Sequence, residues 1–159
     1  MSDYPGDLVI LRQLQTIANM EITTSLHYLS RACHWKSRRF KRLGRFYRRT
    51  SDEERGHFVL IAKRMEQLGG DPEIRPENIE VAGDPVPLKD SFGEDLAGEL
   101  AVAAEYVGLA DLSLSKRDYR TLRIAQHQLK DTEDHVDLIR REIEKLSLIG
   151  EENYLTEWM

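Results

Sequence analysis

Glu54 and His57 lie three apart in Thr50–Glu66, a segment with helical periodicity. Residues at that spacing share one face of a helix, a turn apart. They can offer a carboxylate oxygen and an imidazole nitrogen to one ion, a donor set that suits Fe, Mn or Zn. In four-helix bundles that hold two ions, such a Glu-x-x-His pair comes from two helices and a lone Glu from each of the others. Glu21, Glu99 and His135 supply further donors. Thr132 stands where a second pair would need its Glu.

These residues need long helices to position them. Apolar residues at helical spacing from Leu8 (Leu11, Leu14, Ile17, Ala18, Ile22, Leu26, Leu29, Ala32) predict a first helix over about 6–36, its stripe interrupted by Glu21. A second is expected over 39–69, ended by Gly69-Gly70-Asp71-Pro72. Four of the five prolines lie between Pro72 and Pro87, in a stretch with little periodicity. So long a connection fits a crossover along the length of a bundle, which makes the second and third helices parallel. Ser91 and Glu94 read as a capping box opening a third helix over 91–115. Leu96, Leu100, Ala103, Val107 and Ala110 are its expected apolar stripe, interrupted by Glu99. A fourth helix is expected over 118–148, with Gly150 as its cap and a short fifth helix over 151–157. The fold class is all-α: an up-down-down-up four-helix bundle forming one domain, 1–159.

The two halves repeat. Glu21 precedes Tyr28 by 7, Glu54 by 33 and His57 by 36; Glu99 precedes Tyr106, Thr132 and His135 by the same intervals. In an antiparallel helix pair, residues equidistant from the turn sit at one height. The midpoints fall at Ser37–Arg38 and Ser115–Lys116, where the connections are expected. Glu21, Glu54, His57, Glu99 and His135 can therefore meet at one level, roughly 25 Å from the turns. Each acid breaks an apolar stripe and needs a partner; a metal centre accounts for all of them together. Asp131, four before His135, could compensate for Thr132, whereas Glu133 points elsewhere.

Composition narrows the classes. Cys33 is the only cysteine, which excludes an internal disulfide or a Cys-based zinc site and fits a reducing compartment. No signal peptide and no apolar run of membrane length is read, so a cytoplasmic location without membrane attachment is expected. Lys36–Arg49 holds eight Lys or Arg and no acid, but the net charge of −5 makes nucleic acid an unlikely partner. Met20 and Met65 read as core fillers, Cys33 as a small buried residue, and His27, His34 and His127 as surface or packing residues.

Over about residues 8–155 the chain resembles a bacterioferritin, within the ferritin-like di-iron superfamily. The resemblance rests on Glu21…Tyr28, Glu54-Arg55-Gly56-His57, Asp95-Leu96-Ala97-Gly98-Glu99-Leu100, His135-Val136-Asp137 and the tail Ile149–Leu155. It implies a ferroxidase that oxidises Fe(II) with O2 or peroxide at an intrasubunit di-iron site and stores ferric mineral in a hollow shell of twelve or twenty-four copies. Glu21 and His57 would hold one iron, Glu99 and His135 the other, and Glu54 would bridge them with Tyr28 close by. Arg55 occupies the position where the family places a haem-ligating Met, and a guanidinium offers no such ligand, so no haem is expected there. Two other readings stand beside this one. One is a shell subunit whose centre is degraded at Thr132, holding a single ion or co-assembling with an active ferritin subunit. The other is a DNA-protecting mini-ferritin, motivated by the basic run.

Overall fold

The computed structural model describes residues 7–77 and 87–159. It contains helices α1 (Leu8–Ser37), α2 (Lys41–Gln67), α3 (Leu88–Ser115), α4 (Tyr119–Ile149) and the short α5 (Glu151–Thr156). The first four form the expected up-down-down-up bundle. Asp7 caps α1 by accepting from the Val9 N–H at 2.8 Å. Gly69 and Gly150 follow α2 and α4 with φ of 81° and 78°, the left-handed conformation that glycine adopts without strain.

The two tight turns repeat one geometry. Arg38, Arg39 and Phe40 donate backbone N–H groups to His34, Lys36 and Trp35; Lys116, Arg117 and Asp118 donate to Leu112, Leu114 and Ser113. Arg39 and Arg117 both take positive φ, at 72° and 57°. The long connection starts upward along α1. The Gln15 carboxamide exchanges two 2.9 Å hydrogen bonds with the Glu73 backbone, and Glu77 N–H donates to Thr23 Oγ1 at 3.0 Å. The Pro85 end of the crossover lies outside the described residues.

α3 differs from its reading in two ways. It starts at Leu88, behind Pro87, so Ser91 is not a cap. Ser91 is buried inside the helix and accepts from Arg31 Nη1 at 2.9 Å. The additional turn buries Leu88 and Phe92 against Tyr47 and Tyr154. The buried face is Asp95, Glu99, Val102, Tyr106 and Leu109, while Leu100 and Val107 are 44% and 46% exposed. Polar partners inside the bundle set this face, and hydropathy alone misplaced it by one residue. Cys33 is also exposed, on the outer side of α1.

The core divides into two clusters. Ile10, Leu14, Ile17, Ile61, Met65, Val102, Leu109 and Ala125 form a largely aliphatic one, with Tyr106 at its edge. Tyr28, Trp35, Tyr47, Phe92 and Tyr154 form an aromatic one with Leu43, Ile139 and Leu146. The buried carboxylates lie between them along the chain of each helix. No helix among the described residues is long and apolar enough to cross a membrane.

Candidate metal centre

Each donor comes from the middle of a long helix, where the backbone is held by its own hydrogen bonds and by packing on both sides. Glu21, Glu54 and Glu99 are almost completely buried, at 0%, 2% and 1% exposure. His57 Nδ1 stands 3.1 Å from Glu54 Oε2 and 3.7 Å from Glu21 Oε1. His135 Nδ1 stands 2.9 Å from Glu54 Oε1 and 3.7 Å from Glu99 Oε1. Two three-donor groups result, Glu21–Glu54–His57 and Glu54–Glu99–His135, and Glu54 belongs to both.

His57 Nδ1 and Glu54 Oε2 are hydrogen-bonded at 3.1 Å, but three other donor atoms are left without partners. His135 Nδ1 and Glu54 Oε1 are close, yet neither has an aligned hydrogen-bond partner, and Glu21 Oε2 has none either. Buried polar atoms are normally paired. Donor atoms that crowd together without hydrogen-bond alignment are what a shared cation requires.

Without metal, protons supply the balancing charge. Burial opposes charge on both imidazoles, but Glu21 and Glu54 outweigh it at His57, raising it to about 10. Glu54 and Glu99 raise His135 to about 11. At Glu54 burial alone would favour protonation, but contacts from His135 and His57 hold it down at about 2. Burial, reinforced by the Glu54 charge, lifts Glu21 to about 8. Burial likewise raises Glu99. A metal ion must displace these protons.

Two tyrosines hold the terminal carboxylates crosswise. Tyr28 on α1 donates to Glu99 Oε1 on α3 at 2.6 Å, and Tyr106 on α3 donates to Glu21 on α1. Side chains on a helix tilt towards its N-terminus. Because α1 and α3 run in opposite directions, Glu99 leans towards Tyr28 and Glu21 towards Tyr106. Burial holds both phenols well above their ordinary range, so they stay donors.

Two further carboxylates lie outside the five donors: Glu53, which the sequence reading does not single out, and Asp131, expected beside Thr132. Glu53 Oε2 lies 3.4 Å from His135 Nε2, and Asp131 Oδ2 lies 4.0 Å from His57 Nε2. Carboxylates on the outer nitrogen orient metal-ligating imidazoles. The signal was present: Glu53 and Asp131 differ by the same 78 residues that separate Glu21 from Glu99. Asp131 therefore stands behind His57, and it joins neither three-donor group. Thr132 is buried and its Oγ1 donates to the Gln128 carbonyl at 3.0 Å, so its hydroxyl is engaged within α4. Arg55 is exposed on α2 and bonds Asp52 at 2.8 Å. His27 Nε2 lies 3.3 Å from Asp95, in a buried network in which Arg31 and Tyr47 also bond that carboxylate.

The profile of the ferritin-like domain matches residues 11–149. The chain belongs to the ferritin-like family. Among its ferritin-like relatives, a bacterial ferritin of Pseudomonas aeruginosa is 26% identical over 151 residues, covering 94% of this chain and 96% of the relative. A bacterioferritin of Brucella melitensis is 28% identical over 115 residues, covering 72% and 70%. A bacterial ferritin of Neisseria meningitidis is 31% identical over 104 residues, covering 65% and 66%. The fold matches Rhodobacter capsulatus bacterioferritin with a TM-score of 0.89 at 22% identity, covering 96% of this chain and 94% of that one. That protein is described with a metal-free dinuclear site and a haem iron.

Proposed function

We propose that this ferritin-like chain takes up Fe(II) as substrate at Glu21, Glu54, His57, Glu99 and His135, oxidises it, and stores the ferric product inside a shell of its own copies. The sharing of Glu54 between two converging donor groups carries this reading. Two Fe(II) ions give one electron each; with two protons, O2 becomes H2O2, or H2O2 becomes two waters. The imidazoles and carboxylates bind and orient the ions, Tyr28 and Tyr106 fix the terminal carboxylates, and Glu53 and Asp131 steady the two rings. Glu54 and Tyr28 are the side chains we assign closest to the oxidation.

Thr132 favours a second reading, a subunit whose centre holds one ion and supports an active partner subunit. Two dications about 4 Å apart repel by on the order of 15 kcal/mol at an effective dielectric of about 20, so a missing anionic bridge matters. Steady-state Fe(II) oxidation by the pure protein separates the two. A rate above autoxidation that disappears in Glu54→Ala supports the first. A rate equal to autoxidation, with one ion per chain, supports the second. The DNA-protecting reading is set aside, since such proteins place their ligands between subunits and these five donors come from one chain. No haem is assigned at Arg55.

A further inference from the structure

We propose that a small carboxylate-type oxyanion, of the size of formate or bicarbonate, binds beside Thr132 and acts as the second anionic bridge of the metal centre. This rests on the metal-centre reading above. The charge count motivates it. Glu21, Glu54 and Glu99 bring three negative charges to a site for two dications, so a loaded site is one charge short of neutrality in a buried setting. Among the described residues no other carboxylate joins the donor groups: Asp131 lies 4.0 Å from the outer nitrogen of His57, and Glu53 lies 3.4 Å from that of His135.

Size agrees with charge. Thr132 is Glu54's counterpart across the repeat, and relative to Glu a Thr lacks the three atoms of a carboxylate group. Its own hydroxyl is committed to the Gln128 carbonyl. Formate, with three heavy atoms, matches the missing carboxylate atom for atom, and bicarbonate exceeds it by one.

A donor is also present. Gln128 lies one turn before Thr132 on the same face of α4, is 2% exposed, and its side chain lies by the Tyr106 phenol with its Nε2 lacking an aligned hydrogen-bond partner. A buried amide donor at that place suits an oxyanion. Its repeat counterpart is Thr50, so the half with Glu at the bridge carries Thr one turn earlier, and the half with Thr at the bridge carries Gln. A cavity of about 270 Å³ on the Glu99–His135 side of the centre is lined by Arg49, Thr50 and Arg141 as well, while Thr132 and Gln128 lie outside its lining. Arg49 pairs with Glu53 at 3.6 Å, whereas Arg141 has no ion-pair partner among the described residues. A cation beside this cavity raises the local concentration of an anion near Glu99 and His135.

The test counts ions. The metal-free full chain, in carbonate-free buffer, is titrated with Co(II) alone, with Co(II) plus formate, and with Co(II) plus bicarbonate. Bound metal is measured by equilibrium dialysis. One ion per chain without an anion and two with either one is the expected result, and the arm that works at lower concentration identifies the better source. Thr132→Glu should bind two ions in every arm. Thr132→Val, which removes only the hydroxyl, should keep the anion dependence. Gln128→Leu should raise the half-saturating formate concentration roughly tenfold. Two ions in wild type without any anion, or one ion whatever anion is added, overturns the proposal while leaving the metal centre standing. Loss of the anion response in Thr132→Val also overturns it. Failure of both wild type and Thr132→Glu to bind any ion overturns the metal-centre reading itself.

Discussion

The halves of this bundle share a backbone and differ in what they hang on it. Both turns use the same three hydrogen bonds and a left-handed Arg, at Arg39 and Arg117. Both terminal carboxylates are held by a tyrosine from the opposite half. The differences lie at the bridge and at the start of the second helix of each pair. Glu54 belongs to both three-donor groups, while Thr132 belongs to neither and bonds the Gln128 carbonyl. Asp118 caps α4 through the Thr121 N–H at 3.0 Å and pairs with Arg64 at 2.9 Å. Phe40 starts α2 with no side-chain cap and packs edge-on against Trp35 at 5.7 Å. A duplicated scaffold preserves geometry, and each copy can then be stabilised by different chemistry.

Substitution at the bridge gives the largest contrast. Glu54→Ala should lower the affinity of both ions by at least about 100-fold, whereas Glu21→Ala or Glu99→Ala should affect mainly one. Co(II) titration followed by absorbance would show this. Equal loss in all three variants would mean the groups are not linked through Glu54.

Metal binding should also depend steeply on pH in both halves. Each ion displaces at least one proton from an imidazolium held at about 10 or 11. Affinity should therefore rise about tenfold per pH unit per proton released between pH 6 and 8. Flat affinity over that range would break this account. The metal-free fold behaves oppositely: the stabilisation from the raised histidines is complete below their ordinary value of 6.5 and is lost as pH rises through 10–11.

Arg64 tests the difference at the helix starts. Arg64→Met should cost about 3 kcal/mol, read as a lower urea midpoint, because it strands a half-buried carboxylate. Burial favours the neutral form of Asp118, but bonds from Thr121 and Arg64 outweigh it and hold its pKa below the ordinary 3.8. Its contribution is thus present above pH 4 and lost as pH falls through the lowered value, so Arg64→Met should lose part of the acid limb of the stability profile. No such limb is expected at Phe40. The smallest effects should come from the shared turns. Arg39→Gly and Arg117→Gly should each raise stability by about 0.5–1 kcal/mol, since glycine adopts positive φ without strain. A gain at one turn but not the other would show that their surroundings matter more than their common backbone.

Much of this architecture is legible in the order of residues. The 33- and 36-residue intervals predict both turns and the common level of Glu21, Glu54, His57, Glu99 and His135, because rise per residue is constant along a helix. The convergence survives in three dimensions as two groups sharing Glu54. The same arithmetic contains Glu53 and Asp131, which lie 78 residues apart, as do Glu21 and Glu99. Other features depended on packing between helices. The burial of Ser91 required Arg31 to approach from α1. The exposure of Leu100 followed from polar partners drawing Asp95, Glu99 and Tyr106 inward. Tyr28 and Tyr106 serve the opposite halves because side chains lean towards helix N-termini that point in opposite directions. Sequence determined which residues share a level; only tertiary structure decided which of them touch, because contact depends on helix rotation and side-chain tilt, which spacing along one chain does not specify.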